Sequence, residues 1–63
     1  MVNTKKILKA LRGEDFGMNI TSIIEETNLT RDNVRIALSF LLGTKEIKER
    51  RMGMSKIYLL KNG

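Results

Sequence analysis

Val34, Ala37, Leu38 and Leu41 recur at i, i+3, i+4 and i+7. That spacing gathers four apolar side chains on one face of an α-helix and on no other regular structure. Thr30 stands before the stripe as an N-cap and Gly43 after it as a stop, so a helix is expected over about residues 31–42. Its polar face reads Arg31, Asp32, Asn33, Arg35 and Ser39. Upstream, Ile20, Ile23 and Ile24 give a shorter stripe, with Glu25 and Glu26 on the wet side. Asn19 is its cap and Ser22 its third helical residue, so a helix is expected over about 20–27. Asn28 falls where a tight turn must join the two helices. Asn enters the left-handed region more readily than any residue but Gly, so it can replace the glycine usual there.

The flanks of this pair are simpler. A first helix over about residues 4–12 follows Thr4 as cap, with Ile7, Leu8 and Leu11 inward and the lysines outward. Gly13 is expected to end it in the left-handed conformation. In the loop Glu14-Asp15-Phe16-Gly17, Phe16 is expected to lie over the core as a lid. After Gly43-Thr44, Ile47 to Arg51 reads as a strand, Met52-Gly53-Met54 as a turn and Ser55 to Leu60 as a second strand, a hairpin over about 46–61.

Composition removes whole classes of function. The 63 residues leave room for one domain, 1–63, with a modest core. With neither Cys nor His, the chain lacks thiolate metal ligands, disulfides and the commonest general base, and no metal or cofactor is expected. Catalysis would rest on Asp, Glu, Lys, Ser or Tyr, and no pair of these is spaced to suggest a site, so an enzyme is not expected. No apolar run reaches the roughly 18 residues that cross a bilayer, and no signal-peptide core stands at the start, which makes the cytoplasm the expected location. The net charge is +5, unevenly spread. Residues 1–12 hold four bases and no acid, residues 13–29 four acids and no base, and residues 45–61 six bases and two acids. A basic face for an anionic polymer would produce this pattern. A solvated surface rich in Lys and Glu would produce it equally well, so charge alone leaves both open.

The stretch from Ile20 to Leu41, two short helices about a tight turn, is the helix-turn-helix pattern. With Glu46-Ile47-Lys48-Glu49-Arg50-Arg51 and Ser55-Lys56-Ile57-Tyr58-Leu59-Leu60 behind it, the chain resembles MarR- and ArsR-like winged-helix regulators over residues 4 to 61. In that family a basic hairpin leads into a strand with Tyr-x-Leu, matched by Tyr58 and Leu60. The resemblance implies an α+β fold: a three-helix winged helix-turn-helix with a C-terminal β-hairpin wing. The family has Gly just before the first wing strand, where this chain has Lys45, and Gly43 stands two residues earlier to make the same exit. Extra helices of the longer regulators, used for dimerisation and effectors, have no counterpart. Winged helices that bind Z-DNA place Asn and Tyr four apart on the third helix, with Pro and Trp in the wing. Arg35 and Ser39 occupy those helix positions and the chain has no Pro or Trp, so that subfamily is not expected.

The function so implied is binding of double-stranded DNA by a small regulator or accessory protein, with the third helix in the major groove. Arg31 and Arg35 could pair with guanine and Asn33 with adenine, each pair giving about 1–3 kcal/mol of discrimination. Arg31, Asp32 and Asn33 could equally just furnish the first helical turn, and Asp32 suits the helix dipole better than a base. Ser39 is open between phosphate and solvent. Arg50, Arg51 and Lys56 in the wing are candidates for phosphate or minor-groove contact, or for a charged edge that prevents aggregation. Thr21 and Ser22 could donate to a phosphate at the start of the second helix, or only help cap it. Lys5 and Lys6 suit a flanking phosphate or a solvated face. Ile36, Phe40, Leu42, Ile57 and Leu59 fit no simple core face. Some are expected under the wing, as the resemblance implies for an aromatic at the position of Phe40. Several left exposed together would mark a weak homodimer or a protein partner, and exposed Ile36 and Phe40 would favour the alternative function, a winged-helix protein-interaction adaptor. RNA reading is weaker, since only Phe16, Phe40 and Tyr58 could stack on bases.

Overall fold

In the computed structural model, which describes residues 3–61, the order is α1 (Thr4–Arg12), α2 (Ile20–Thr27), α3 (Arg31–Thr44), β1 (Ile47–Met52) and β2 (Ser55–Leu60). The outermost residues of the expected 1–63 domain lie outside the described residues. Three helices followed by an antiparallel hairpin make a winged helix-turn-helix. Among the described residues no helix is long and apolar enough to cross a membrane.

The two caps that matter most for the motif form as their residue types dictate. Asn19 Oδ1 accepts the Ser22 amide at 2.8 Å, and Thr30 Oγ1 accepts the Asn33 amide at 3.2 Å. Asn28 takes the left-handed conformation at φ 61° and donates its amide to the Ile24 carbonyl at 2.8 Å. Thr27 is buried but satisfied: its hydroxyl donates to the Ile23 carbonyl at 2.7 Å and accepts from Leu29 at 3.4 Å. Its pairing stiffens the turn from inside, because a buried hydroxyl left unpaired would cost about 1–3 kcal/mol.

Ile7 and Leu11 of α1, Ile23 of α2, and Val34, Ala37, Leu38 and Leu41 of α3 meet in one core, closed by Met18 and Ile47. All four residues of the strongest stripe are buried. β2 lies between β1 on one edge and Met18 on the other. Met18 and Tyr58 exchange both backbone hydrogen bonds, at 2.9 and 2.8 Å. The other edge of β1 carries Lys48, Glu49, Arg50 and Arg51, a run of charge that discourages edge-to-edge pairing.

Five expectations are corrected. Thr4 is the first helical residue and Asn3 the cap, without a side-chain hydrogen bond. Gly13 stays right-handed at φ −86°, because Glu14 closes the end through a short turn onto the Leu11 carbonyl at 3.0 Å. Phe16 is no lid: it is 90% exposed, and Met18 fills the core beneath the hairpin instead. α3 does not stop at Gly43 but runs to Thr44. Lys45 then takes the left-handed position at φ 66°. Its amide donates to Leu42 at 3.2 Å and that of Glu46 to Leu41 at 3.1 Å, the paired bonds of a Schellman exit. Lastly, Phe40 is not tucked under the wing but 52% exposed, beside Ile36 at 58%. Leu42, Ile57 and Leu59 are half-buried.

Candidate nucleic-acid interface

The register of the hairpin sorts its side chains. Glu49 pairs with Tyr58 and Arg51 with Lys56, so these four and the buried Ile47 share the face toward the helices. Arg50 pairs with Ile57 and lies on the opposite face with Lys48. The three expected wing bases are therefore split, two on the inner face and one on the outer.

The inner face and α3 enclose a groove of about 260 Å³, floored by Leu38, Leu42 and Tyr58 and walled by Arg35 and Ser39 from the helix and Glu49 and Lys56 from the wing. Ile20, the first residue of α2, completes one end. Arg35 and Ser39 lie four residues apart and thus on one side of α3. Arg31, four residues before Arg35, extends the same side toward the helix start. Asn33 does not: two residues from Arg35, it points about 160° away around the helix. It shares its flank with Ile36 and Phe40 instead.

Electrostatically the groove mixes two exposed cations with one acid. Lys56 Nζ lies 3.9 Å from Glu49 Oε2 at the surface, a pair worth little in water. Arg51 and Lys56 stand directly opposite each other, a like-charged cross-strand pair that is unfavourable unless an anion joins it. Tyr58 has its pKa raised, first by burial and then by Glu49, while Arg35 pulls it down. Its hydroxyl is therefore a neutral donor at the groove floor.

Thr21, the residue after Ile20, is exposed and Ser22 is half-buried. The cap of α2 comes from Asn19, which leaves both hydroxyls free of that task. Lys5 and Lys6 are exposed on α1. Residue types alone did not single out Tyr58 and Glu49 as part of the site. Tyr58 is legible in the sequence as a strand residue, as part of the Tyr-x-Leu match and as a possible stacking ring, whereas its place beside Glu49 on the inner face follows only once the register is fixed.

No protein-family model and no curated protein sequence matches the chain. A solved structure of similar fold is the apo Zalpha domain of zebrafish PKZ, with a TM-score of 0.86 over 94% of this chain and 91% of that one, at 18% identity. At that identity the two share a backbone arrangement, three helices and a wing, and the likeness establishes the winged-helix fold.

Proposed function

We propose that this chain binds double-stranded DNA, with α3 in the major groove and the wing on the backbone. The observation that carries the reading is the convergence of Arg35 from α3 and Lys56 from the wing on one groove, with Arg51 opposite Lys56. A helix about 10–12 Å across suits a major groove about 12 Å wide. Arg35 then reaches base edges, Arg31 and Ser39 flank it, and Arg51, Lys56 and Thr21 meet phosphates. Arg50, on the outer wing face, would reach the other strand. Asn33 stands apart from this set, and Ile36 is the better neighbour for a thymine methyl. Control of transcription, as in the MarR- and ArsR-like regulators, is the finer form of the same reading. A second reading has its own support: Ile36 and Phe40 are exposed one helical turn apart, as an adaptor surface would require.

The test is an amide chemical-shift titration with a short duplex, at low and raised salt. Shifts should cluster at Arg31–Ser39 and Arg50–Lys56 and fade as salt rises. With three or four phosphates neutralised, log K against log salt should slope by about −2.7 to −3.6. A left-handed duplex run beside the right-handed one should bind no better, given Arg35 and Ser39 on α3. Amides that stay still at low salt would leave the basic face as mere solubility and pass α3 to the adaptor reading.

A further inference from the structure

The tip of the wing is apolar, and among the described residues nothing covers it. Gly53, at φ 62°, makes the bend, and the Met52–Ser55 pairing leaves a loop of only two residues. The second of these, Met54, is 105% exposed, and Met52 is 59% exposed. Every residue from Lys48 to Lys56 is exposed, so the outer half of the hairpin projects from the body as an arm. Gly53 supplies the positive φ that the bend needs, and the second turn position is of a kind ordinarily held by a polar residue. A thioether there contributes nothing to the core and sits in water. Around it the arm is basic on both faces, with Arg51 and Lys56 on one and Lys48 and Arg50 on the other.

We infer that Met52 and Met54 form a wedge that enters the minor groove of duplex DNA and partly unstacks one base step, an inference that rests on the duplex reading above. Cations on both faces suit phosphates on both walls of a groove, and the apolar end between them suits the bases. Dimensions agree. The minor groove is about 6 Å wide, whereas two paired strands already span about 4.8 Å before their side chains are added. The ribbon therefore stays at the mouth, and only an apolar side chain at its tip, such as Met or Leu, goes in. Apolar wedges of this kind kink DNA by prising apart a step, and pyrimidine–purine steps yield most readily. The wing thus favours a TA or CA step at a fixed distance from the bases met by α3, a preference made without a base hydrogen bond.

The experiment uses the intact chain and duplexes with 2-aminopurine beside a TA step, reading both its emission and the affinity by anisotropy across salt. The unaltered protein should brighten the probe. The M52A/M54A variant, altered only at exposed positions, should bind roughly five- to tenfold more weakly and leave the probe dark, with the salt slope unchanged because no phosphate contact is lost. M52L/M54L should retain the brightening. Full affinity and brightening in M52A/M54A would overturn the wedge and leave the duplex reading standing. Failure of the unaltered protein to bind any duplex would overturn both.

Discussion

Tyr58 joins the fold to the groove. Its backbone is bonded to Met18, and its ring closes the floor between α3 and the wing. It is also the sole tyrosine in a chain without tryptophan, so near-ultraviolet absorbance reports its ionisation alone. Its pKa is raised above the ordinary 10.0, by burial first and Glu49 second, against Arg35. The sign follows: the folded state holds the phenolic proton more tightly than the unfolded one. The resulting stability is complete below the unfolded pKa and is lost as pH climbs through the higher folded value. An absorbance titration should therefore find a midpoint above that of the denatured chain. Glu49→Gln should bring the midpoint down and Arg35→Gln should push it further up. Shifts of opposite sign from two variants on one groove would place Arg35 and Glu49 beside the ring. Equal midpoints in all three proteins would remove that geometry.

Among the elements, the helix ends divide into those a sequence declares and those packing decides. Asn19, Thr30 and Asn28 act through their own side chains or backbone preference, so their roles were legible before any fold was known. The four-residue stripe of α3 was legible for the same reason, since its period is local. Gly43 and Lys45 were not. Ile47 must enter the core just after α3, and that requirement carries the helix through the glycine and forces a lysine into the left-handed region. Phe16 and Phe40 misled for a related cause: hydrophobicity names a candidate for burial, but Met18, not Phe16, joins the core, and Phe40 lies on the exposed flank of α3 beside Ile36. Gly17, at φ 87°, lies so close to β2 that an added Cβ would stand 2.8 Å from the Tyr58 carbonyl and collide with Ile57. Two substitutions test this account by thermal or urea unfolding. Lys45→Gly should stabilise by about 0.5–1 kcal/mol through relief of the left-handed penalty. Gly17→Ala should destabilise by about 2–4 kcal/mol, from conformational strain and overpacking together. A neutral Gly17→Ala would mean that the loop does not press on the hairpin.

For the whole molecule, the question is what α3 faces, because one exposed helix cannot lie in a major groove and against a protein at once. The candidate site was legible in its parts, Arg35, Ser39, Arg51 and Lys56, but not in its division between two wing faces, which depends on a register that no local signal fixes. Ile36 and Phe40 share the helix with Arg35 and would be hidden by either partner. A standard interface takes about 800 Å² from each side, roughly a sixth of the 4876 Å² this protein exposes. Two half-exposed side chains cannot supply that area. An interface on α3 would have to bury Asp32, Asn33 and Ser39 as well, all polar. Self-association through this face should accordingly be weak. Sedimentation should give a monomer at micromolar concentration, with dimer forming only near about 1 mM, some 4 kcal/mol of association. Because duplex and second copy compete for one face, added DNA should suppress whatever dimer forms, and Ile36→Ser with Phe40→Ser should abolish it without changing the salt slope of duplex binding. A firm micromolar dimer that survives saturating duplex would mean that α3 is turned to a protein partner and that DNA, where it binds at all, is held by the wing alone.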